Sequence, residues 1–343
     1  MIKEAISLLV SGQSLTMEQA TEVMEEMTTG QVTPAQFGAF VTALRIKGET
    51  ADEIAGLASV MRAKAIRVKT TEPVIDIVGT GGDNSGSFNI STAAAFVAAS
   101  AGVRVAKHNN RAMTSQCGSA DVLETLGVKI DLDASQVEDC LEKVGIGFMF
   151  APLFHPAMKF AAAPRREIGV RTIFNILGPL TNPARAESQV LGVPTEELGE
   201  KLTQVLYRLG SKHSLVVHGL NGMDEISVAG ESKVWELWDG EITDYLVSPE
   251  NFGLARAGVE TLKGGTPQEN ALILRSVFEG AKGPRRDAVV MNAAAGIAVG
   301  HRTKHPSGFP ALKEGVDIAK EAIDSGQALD KLERLIKLSQ SYG

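Results

Sequence analysis

The sequence predicts an α/β protein in which a small all-helical domain joins a larger α/β domain built on a mostly parallel central sheet. Three observations predict it. The first 67 residues place apolar side chains at three- and four-residue spacing behind plain helix-start signals. From Val74 onward, short β-branched runs alternate with helical stretches, the pattern of parallel strands joined by covering helices. The glycines, 35 in 343 residues, cluster most tightly in the loop after the first of those runs.

Length fits about two domains. We divide them as residues 1–70, helical and completed by helices within about 156–185, and residues 71–155 with 186–343 as the α/β domain. Hydrophobic residues at 44% and charged residues at 22% exclude a disordered or fibrous chain. The formal net charge of −7 argues against a broad nucleic-acid or anionic-membrane surface, so any anion site has to be built locally. Cys117 and Cys140 are too few for a disulfide framework or a cysteine zinc site, which points to a reducing, cytoplasmic compartment. Met1 to Ala5 lack a secretory pattern, and the apolar windows Ala93 to Ala101 and Ala288 to Val299 fall short of the ~18–20 residues of a membrane span.

In order along the chain, Thr16 with Gln19, Thr33 with Gln36 and Thr50 with Glu53 form capping-box patterns, with Pro34 at a first helical position. Gly30 and Gly48 stand where the second and third helices should stop. Val74 to Val78 reads as a strand, followed by the glycine loop and an alanine-rich helix from about Ser91 to Ala101. Val103 to Ala106 reads as the next strand, Ser119 to Leu126 and Ser135 to Val144 as helices, and Gly147 to Phe150 as a strand. Pro156 to Asn182 reads as a helical insertion. Strands follow at Gln189 to Val193 and Leu215 to His218, around a helix from Glu196 to Leu209. Lys233 to Val247 reads as a hairpin turning at Asp239-Gly240. Helices at Thr266 to Phe278, Arg286 to Val299 and Leu312 to the C-terminus close the chain.

Four clusters carry the chemistry. Gly79-Thr80-Gly81-Gly82-Asp83-Asn84-Ser85-Gly86-Ser87 leaves a strand and enters a helix at Asn89-Ile90-Ser91-Thr92, so backbone N–H groups and a helix N-terminus meet there as an anion cradle. It lacks the lysine ending of a P-loop and the spacing of a dinucleotide loop. Lys107-His108-Asn109-Asn110-Arg111 follows the next strand, which would turn two cations toward the cradle. Asp224-Glu225 offers paired carboxylates for a hard cation, to which the Ser91 hydroxyl could add a ligand. Arg165, Arg166 and Arg171 form a basic group in the inserted helix, one of which could grip a carboxylate bidentately. Taken alone, the glycine loop has a second reading as a tight strand-to-helix turn, the Lys107 and Asp224 clusters as solvated loops, and the arginines as a charged helix face.

Together these residues resemble the motif series of the anthranilate phosphoribosyltransferases, as do Cys117 to Glu124 and Arg171-Thr172-Ile173-Phe174-Asn175-Ile176-Leu177-Gly178-Pro179-Leu180. The resemblance spans nearly the whole chain. It implies a nucleoside phosphorylase/phosphoribosyltransferase-like fold that moves the phosphoribosyl group of 5-phosphoribosyl 1-diphosphate to anthranilate with Mg2+, in tryptophan biosynthesis. It further implies a homodimer formed through the helical domain. By the same resemblance, Gly79, Gly82, Asp83 and Ser87, with Asn89, Ile90, Ser91 and Thr92, grip the diphosphate donor. Lys107, His108, Asn109, Asn110, Arg111, Ser115 and Ser119 complete its site, Asn110 and Arg165 bind anthranilate, and Ser91, Asp224 and Glu225 serve magnesium. No side chain is assigned as acid, base or nucleophile. Pyrimidine nucleoside phosphorylases resemble this fold, but Arg165 and the complete Asp224-Glu225 pair fit the transferase better. Two departures stand out. Asn109 replaces the family's usual glycine, and asparagine tolerates the left-handed conformation better than most residues; Pro164 replaces an aliphatic residue and suits a first helical turn.

Overall fold

The computed structural model describes residues 1–112 and 116–343. Its N-terminal helices are α1 (Ile2–Val10), α2 (Met17–Thr28), α3 (Pro34–Lys47) and α4 (Ala51–Lys64). All three capping boxes form, with Thr16, Thr33 and Thr50 each accepting from the backbone N–H three residues on. The third box does more than cap a helix. Glu53 is fully buried, and its carboxylate accepts from Thr50 N at 2.7 Å, Leu15 N at 2.9 Å and Lys47 Nζ at 3.0 Å, so one side chain ties three segments together. Charge-assisted bonds of this kind offset the cost of burying it.

The remaining elements are β1 (Ile75–Gly79), α5 (Ile90–Ser100), β2 (Val105–Asn109), α6 (Ser119–Thr125), α7 (Ala134–Lys143) and β3 (Ile146–Phe150), then α8 (Ala151–Phe154), α9 (Lys159–Ile168) and α10 (Phe174–Leu177). They continue as β4 (Ser188–Gly192), α11 (Glu196–Arg208), β5 (His213–Gly219), β6 (Ser232–Trp238), β7 (Glu241–Val247), α12 (Pro267–Phe278), α13 (Pro284–Val299), α14 (Gly308–Asp324) and α15 (Gln327–Gln340). Among the described residues one sheet forms in the order β3-β2-β1-β4-β5-β6-β7. Pairing is parallel from β3 to β5 and antiparallel through β6 and β7.

Alternate residues of each strand serve different cores. Ile77, Val190 and Val217 join α5 and the C-terminal helices in one cluster, while Val78, Leu191 and Val216 join α11 and the N-terminal helices in the other. The helical unit therefore shares a core with the sheet. Arg62 reinforces that junction from α4, donating to the carbonyls of Leu180 at 2.5 Å and Leu209 at 3.2 Å.

Four sequence expectations shift. β2 runs two to three residues later than Val103 to Ala106, which places Lys107, His108 and Asn109 in the strand rather than in a loop. Pro164 lies inside α9 and not in its first turn; without an N–H it leaves one helical bond unmade. The C-terminal stretch breaks into α14 and α15 at Gly326, whose φ of 78° only glycine adopts cheaply. The insertion extends back to α8, and its α9 packs on α2 and α3.

Candidate active site

β1 stands between β2 and β4, and the chain leaves it toward β2 and β3 on one side and toward β4 and β5 on the other. Such a reversal opens a crevice at the carboxyl ends of the strands. Gly79 and Gly192 are the paired last residues of β1 and β4. A Cβ at Gly192 would lie 1.6 Å from the Asp224 carbonyl oxygen, and one at Gly79 would lie 2.3 Å from Asp224 Oδ2. Two bare Cα atoms thus admit Asp224 to the strand ends. The loop that follows turns through Gly81 and Gly82 at φ 68° and 84°, and the Gly81 N–H donates to Asp224 Oδ2 at 2.8 Å.

Asp224 and Glu225 are both about nine-tenths buried. Burial, with Asp83 close by, pushes the Asp224 carboxyl up to about 7. Burial and Asp224 push Glu225 well above the usual carboxylate range, against the pull of Lys107 and of the Ser91 N–H that it accepts. Asp83 Oδ1 accepts from Ser85 N at 3.2 Å, while Asp83 Oδ2 and Thr80 Oγ1 are buried with no partner. Crowded acids with an unpaired buried oxygen are the donor set of a hard cation. Among the described residues no three His, Cys, Asp or Glu side chains converge as a closed metal cage. A site of one or two carboxylates completed by phosphate oxygens is the usual magnesium arrangement, so the residues fit that ion.

Lys107 and His108, as strand neighbours, point to opposite sides. Lys107 is buried and donates to the Ile77 carbonyl at 2.7 Å, with Asp76 and Glu225 as its counter-charges. His108 meets His155, ring nitrogen to ring nitrogen, at 3.2 Å. Arg111 does not turn to the cradle. Its guanidinium pairs with Asp121 at 3.0 Å and Glu124 at 2.8 Å and lies over the Phe150 ring, so of the two cations expected at the cradle Lys107 is the one that faces Glu225. Asn109 is not among the residues with positive φ, so the structure requires no left-handed tolerance at that position. Asn110 accepts from Arg111 N through Oδ1 at 2.7 Å.

Residues 71–329 match the glycosyl transferase family, a/b domain, and residues 3–65 match its helical bundle domain. An anthranilate phosphoribosyltransferase of Dehalococcoides mccartyi is 60% identical over 99% of both chains. The chain belongs to the anthranilate phosphoribosyltransferase family. A crystal structure of the anthranilate phosphoribosyltransferase from Thermus thermophilus, 46% identical, covers 98% of this chain and 99% of its own at a TM-score of 0.91. The Saccharomyces cerevisiae enzyme in complex with PRPP and Mg, 30% identical, covers 99% and 98% at a TM-score of 0.89.

Against the motifs of the anthranilate phosphoribosyltransferases, most of the expected residues fall into two sets in the structure. Gly79, Gly82, Asp83, Ser91, Lys107, Asp224 and Glu225 converge at the crevice. Asn89, Ile90, Thr92, Ser119 and Arg111 brace its walls. The Asn89 amide donates to the Cys117 carbonyl at 3.2 Å and its oxygen accepts from Asn270 at 3.0 Å, Ile90 is buried in the core, and Thr92 donates to Ser119 Oγ at 3.0 Å. Ser87 pairs with Lys263 in an isolated bridge that pins the outer end of the glycine loop. Ser115 lies outside the described residues. Arg165 is half-buried over the Phe174 ring at 5.3 Å, and among the described residues it has no carboxylate partner. Phe174 stacks in turn on Phe37 of α3 at 5.3 Å. Two residues at this site escaped the sequence reading. Gly192 gave no signal, because its role exists only in register with Gly79, and Arg171 was legible as a basic residue but not as a partner of the glycine loop.

Proposed function

We propose that this chain transfers the phosphoribosyl group of 5-phosphoribosyl 1-diphosphate to the amine of anthranilate, giving N-(5-phosphoribosyl)anthranilate and diphosphate, within tryptophan biosynthesis. One observation carries the reading: a glycine loop backed by the buried acids Asp224 and Glu225 is held by Arg171, from the same segment that bears Arg165, a half-buried arginine with no carboxylate partner among the described residues. The loop suits a diphosphate and Arg165 a carboxylate.

The diphosphate rests on the loop's backbone N–H groups, which are fixed before reaction and so need no reorganisation as charge develops. Lys107, held between Asp76 and Glu225, adds a positive charge that cannot swing away. Asp224, Glu225 and Ser91 would hold magnesium, which would supply further positive charge to offset that of the leaving diphosphate. As the ribose C1–O bond breaks, its electron pair leaves with diphosphate, and the amine lone pair forms the new N–C1 bond. Arg165 grips the anthranilate carboxylate bidentately, and Asn110 helps aim the amine, so that positioning supplies much of the rate. The arylamine lone pair is free at neutral pH, and the proton released after attack passes to solvent. His108 and His155 do not act as bases. Burial lowers both, His108 to about 3 with its partner ring contributing and His155 to about 4.

We assign α9 and α10 to the helical domain, supported by their packing on α2, α3 and α4. We further propose a homodimer through that domain, supported by Ile46 and Val10, which stand 80% and 73% exposed on α3 and α1. No helix among the described residues is long and apolar enough to cross a membrane, and a cytoplasmic location accompanies the biosynthetic role. The deciding experiment follows the loss of anthranilate fluorescence. Consumption should require the protein, phosphoribosyl diphosphate and magnesium together; no consumption with all three present would refute the activity.

A further inference from the structure

We propose that Arg171 is the positioning residue of the glycine loop, holding it in its donor-binding shape from the segment that carries Arg165. The guanidinium donates to two successive loop carbonyls, Gly81 at 3.0 Å and Thr80 at 3.3 Å. It lies so close to the loop that a Cβ at Gly82 would fall 1.9 Å from its Nη1. In a planar trans peptide the C=O and N–H point in opposite directions, so a carbonyl pinned toward Arg171 turns the next N–H away from it. The Gly81 N–H reaches Asp224 in this way, and the Gly82 N–H is left facing away from the guanidinium. Asp83 and Asp224 are close enough to attract the guanidinium as counter-charges.

Arg171 is also tied from behind, because Arg45 of α3 donates to its carbonyl. A continuous set of contacts thus runs from the helical domain through residue 171 to the loop. Arg165 has a separate anchor, the Phe174 ring stacked on Phe37. Loss of the Arg171 side chain should therefore disturb the donor side and spare the acceptor side.

The inference rests on the glycine loop being the donor site. The test compares the wild type with Arg171→Ala and Arg171→Lys by steady-state kinetics and by calorimetry of inorganic diphosphate with magnesium. Arg171→Ala should raise the donor KM and weaken diphosphate binding by about tenfold or more, leaving the anthranilate KM within about twofold. Arg171→Lys should fall between, since one ammonium nitrogen can serve both carbonyls as Nη2 does but brings no second nitrogen to pack against Gly82 as Nη1 does. An unchanged donor KM in folded Arg171→Ala, or an equal rise in both KM values, overturns the role. If the alanine variant does not fold, unaltered diphosphate binding in Arg171→Lys overturns it instead. Should the wild type fail to turn over anthranilate, the functional reading falls, while the diphosphate titration still decides the part played by Arg171.

Discussion

At the scale of single residues, the active-site crevice depends on atoms that are missing. Gly192 has no backbone strain to relieve, and what it supplies is room for the Asp224 carbonyl. Gly192→Ala should force the 224–225 backbone away from the strand ends, costing about 1–3 kcal/mol as overpacking does. Turnover should fall by at least about tenfold, because the displaced residues are the two carboxylates themselves. Gly230→Ala is the control, since nothing lies within 4 Å of the added methyl. Denaturant melts and kcat measured on both variants check this, and equal behaviour would refute the steric role. Legibility in the sequence divides along the same line. Gly79 to Asp83 could be read because a glycine-rich strand-to-helix turn has few uses. Gly192 could not, because the Asp224 it makes room for lies far along the chain and a single glycine says nothing about register.

At the scale of elements, the capping signals and the mostly parallel sheet formed as expected, while a strand boundary set by a partner strand did not. The capping boxes at Thr16, Thr33 and Thr50 form as their spacing implies, because every partner lies within one turn. The end of β2 was harder. Lys107, His108 and Asn109 read as a polar loop, yet they extend the strand because Phe148, Met149 and Phe150 of β3 pair with them in register. Arg111 was diverted by Asp121 and Glu124, which reach it from a different element. The β2 placement buries His108 against His155 and makes it a source of acid sensitivity. Its pKa is depressed to about 3 in the folded chain, so below the unfolded value near 6.5 the unfolded chain takes up a proton that the folded chain refuses. Stability is therefore intact above about pH 6.5 and is lost as pH falls toward 3. Between pH 7 and 5 the ring should cost about 2 kcal/mol. Asp76, raised to about 6 by burial, works in the opposite direction as pH rises. Comparing wild type with His108→Gln cancels the Asp76 contribution: the variant should lose about 2 kcal/mol less over that interval in urea melts, and parallel pH profiles would refute the assignment.

At the scale of the whole molecule, the two-part reading of the sequence held, but its boundary is not a gap. The N-terminal helices and one face of the sheet share a core, and α3 sends Arg45 and Phe37 toward the segment that bears Arg171 and Arg165. Anything that steadies the helical unit therefore steadies the segment that bears Arg165 and Arg171. The proposed homodimer would do so. α1 and α3 bury Leu9, Phe40 and Leu44 against the core yet leave Val10 and Ile46 standing in water. Single exposed apolar residues are ordinary on a monomer, so their presence on two helices that pack together supports an interface without fixing its area. A stable interface needs about 800 Å² per partner, and in a two-fold pair any substitution enters twice. Ile46→Glu would place two carboxylates in such an interface and should convert a particle of twice 36.3 kDa into one of 36.3 kDa by sedimentation. The residues assigned to the site all come from one chain, so the dissociated variant should keep most of its turnover per chain. A wild type that sediments as a single chain at micromolar concentration, or an Ile46→Glu, Val10→Glu double variant that remains paired, would rule out this surface.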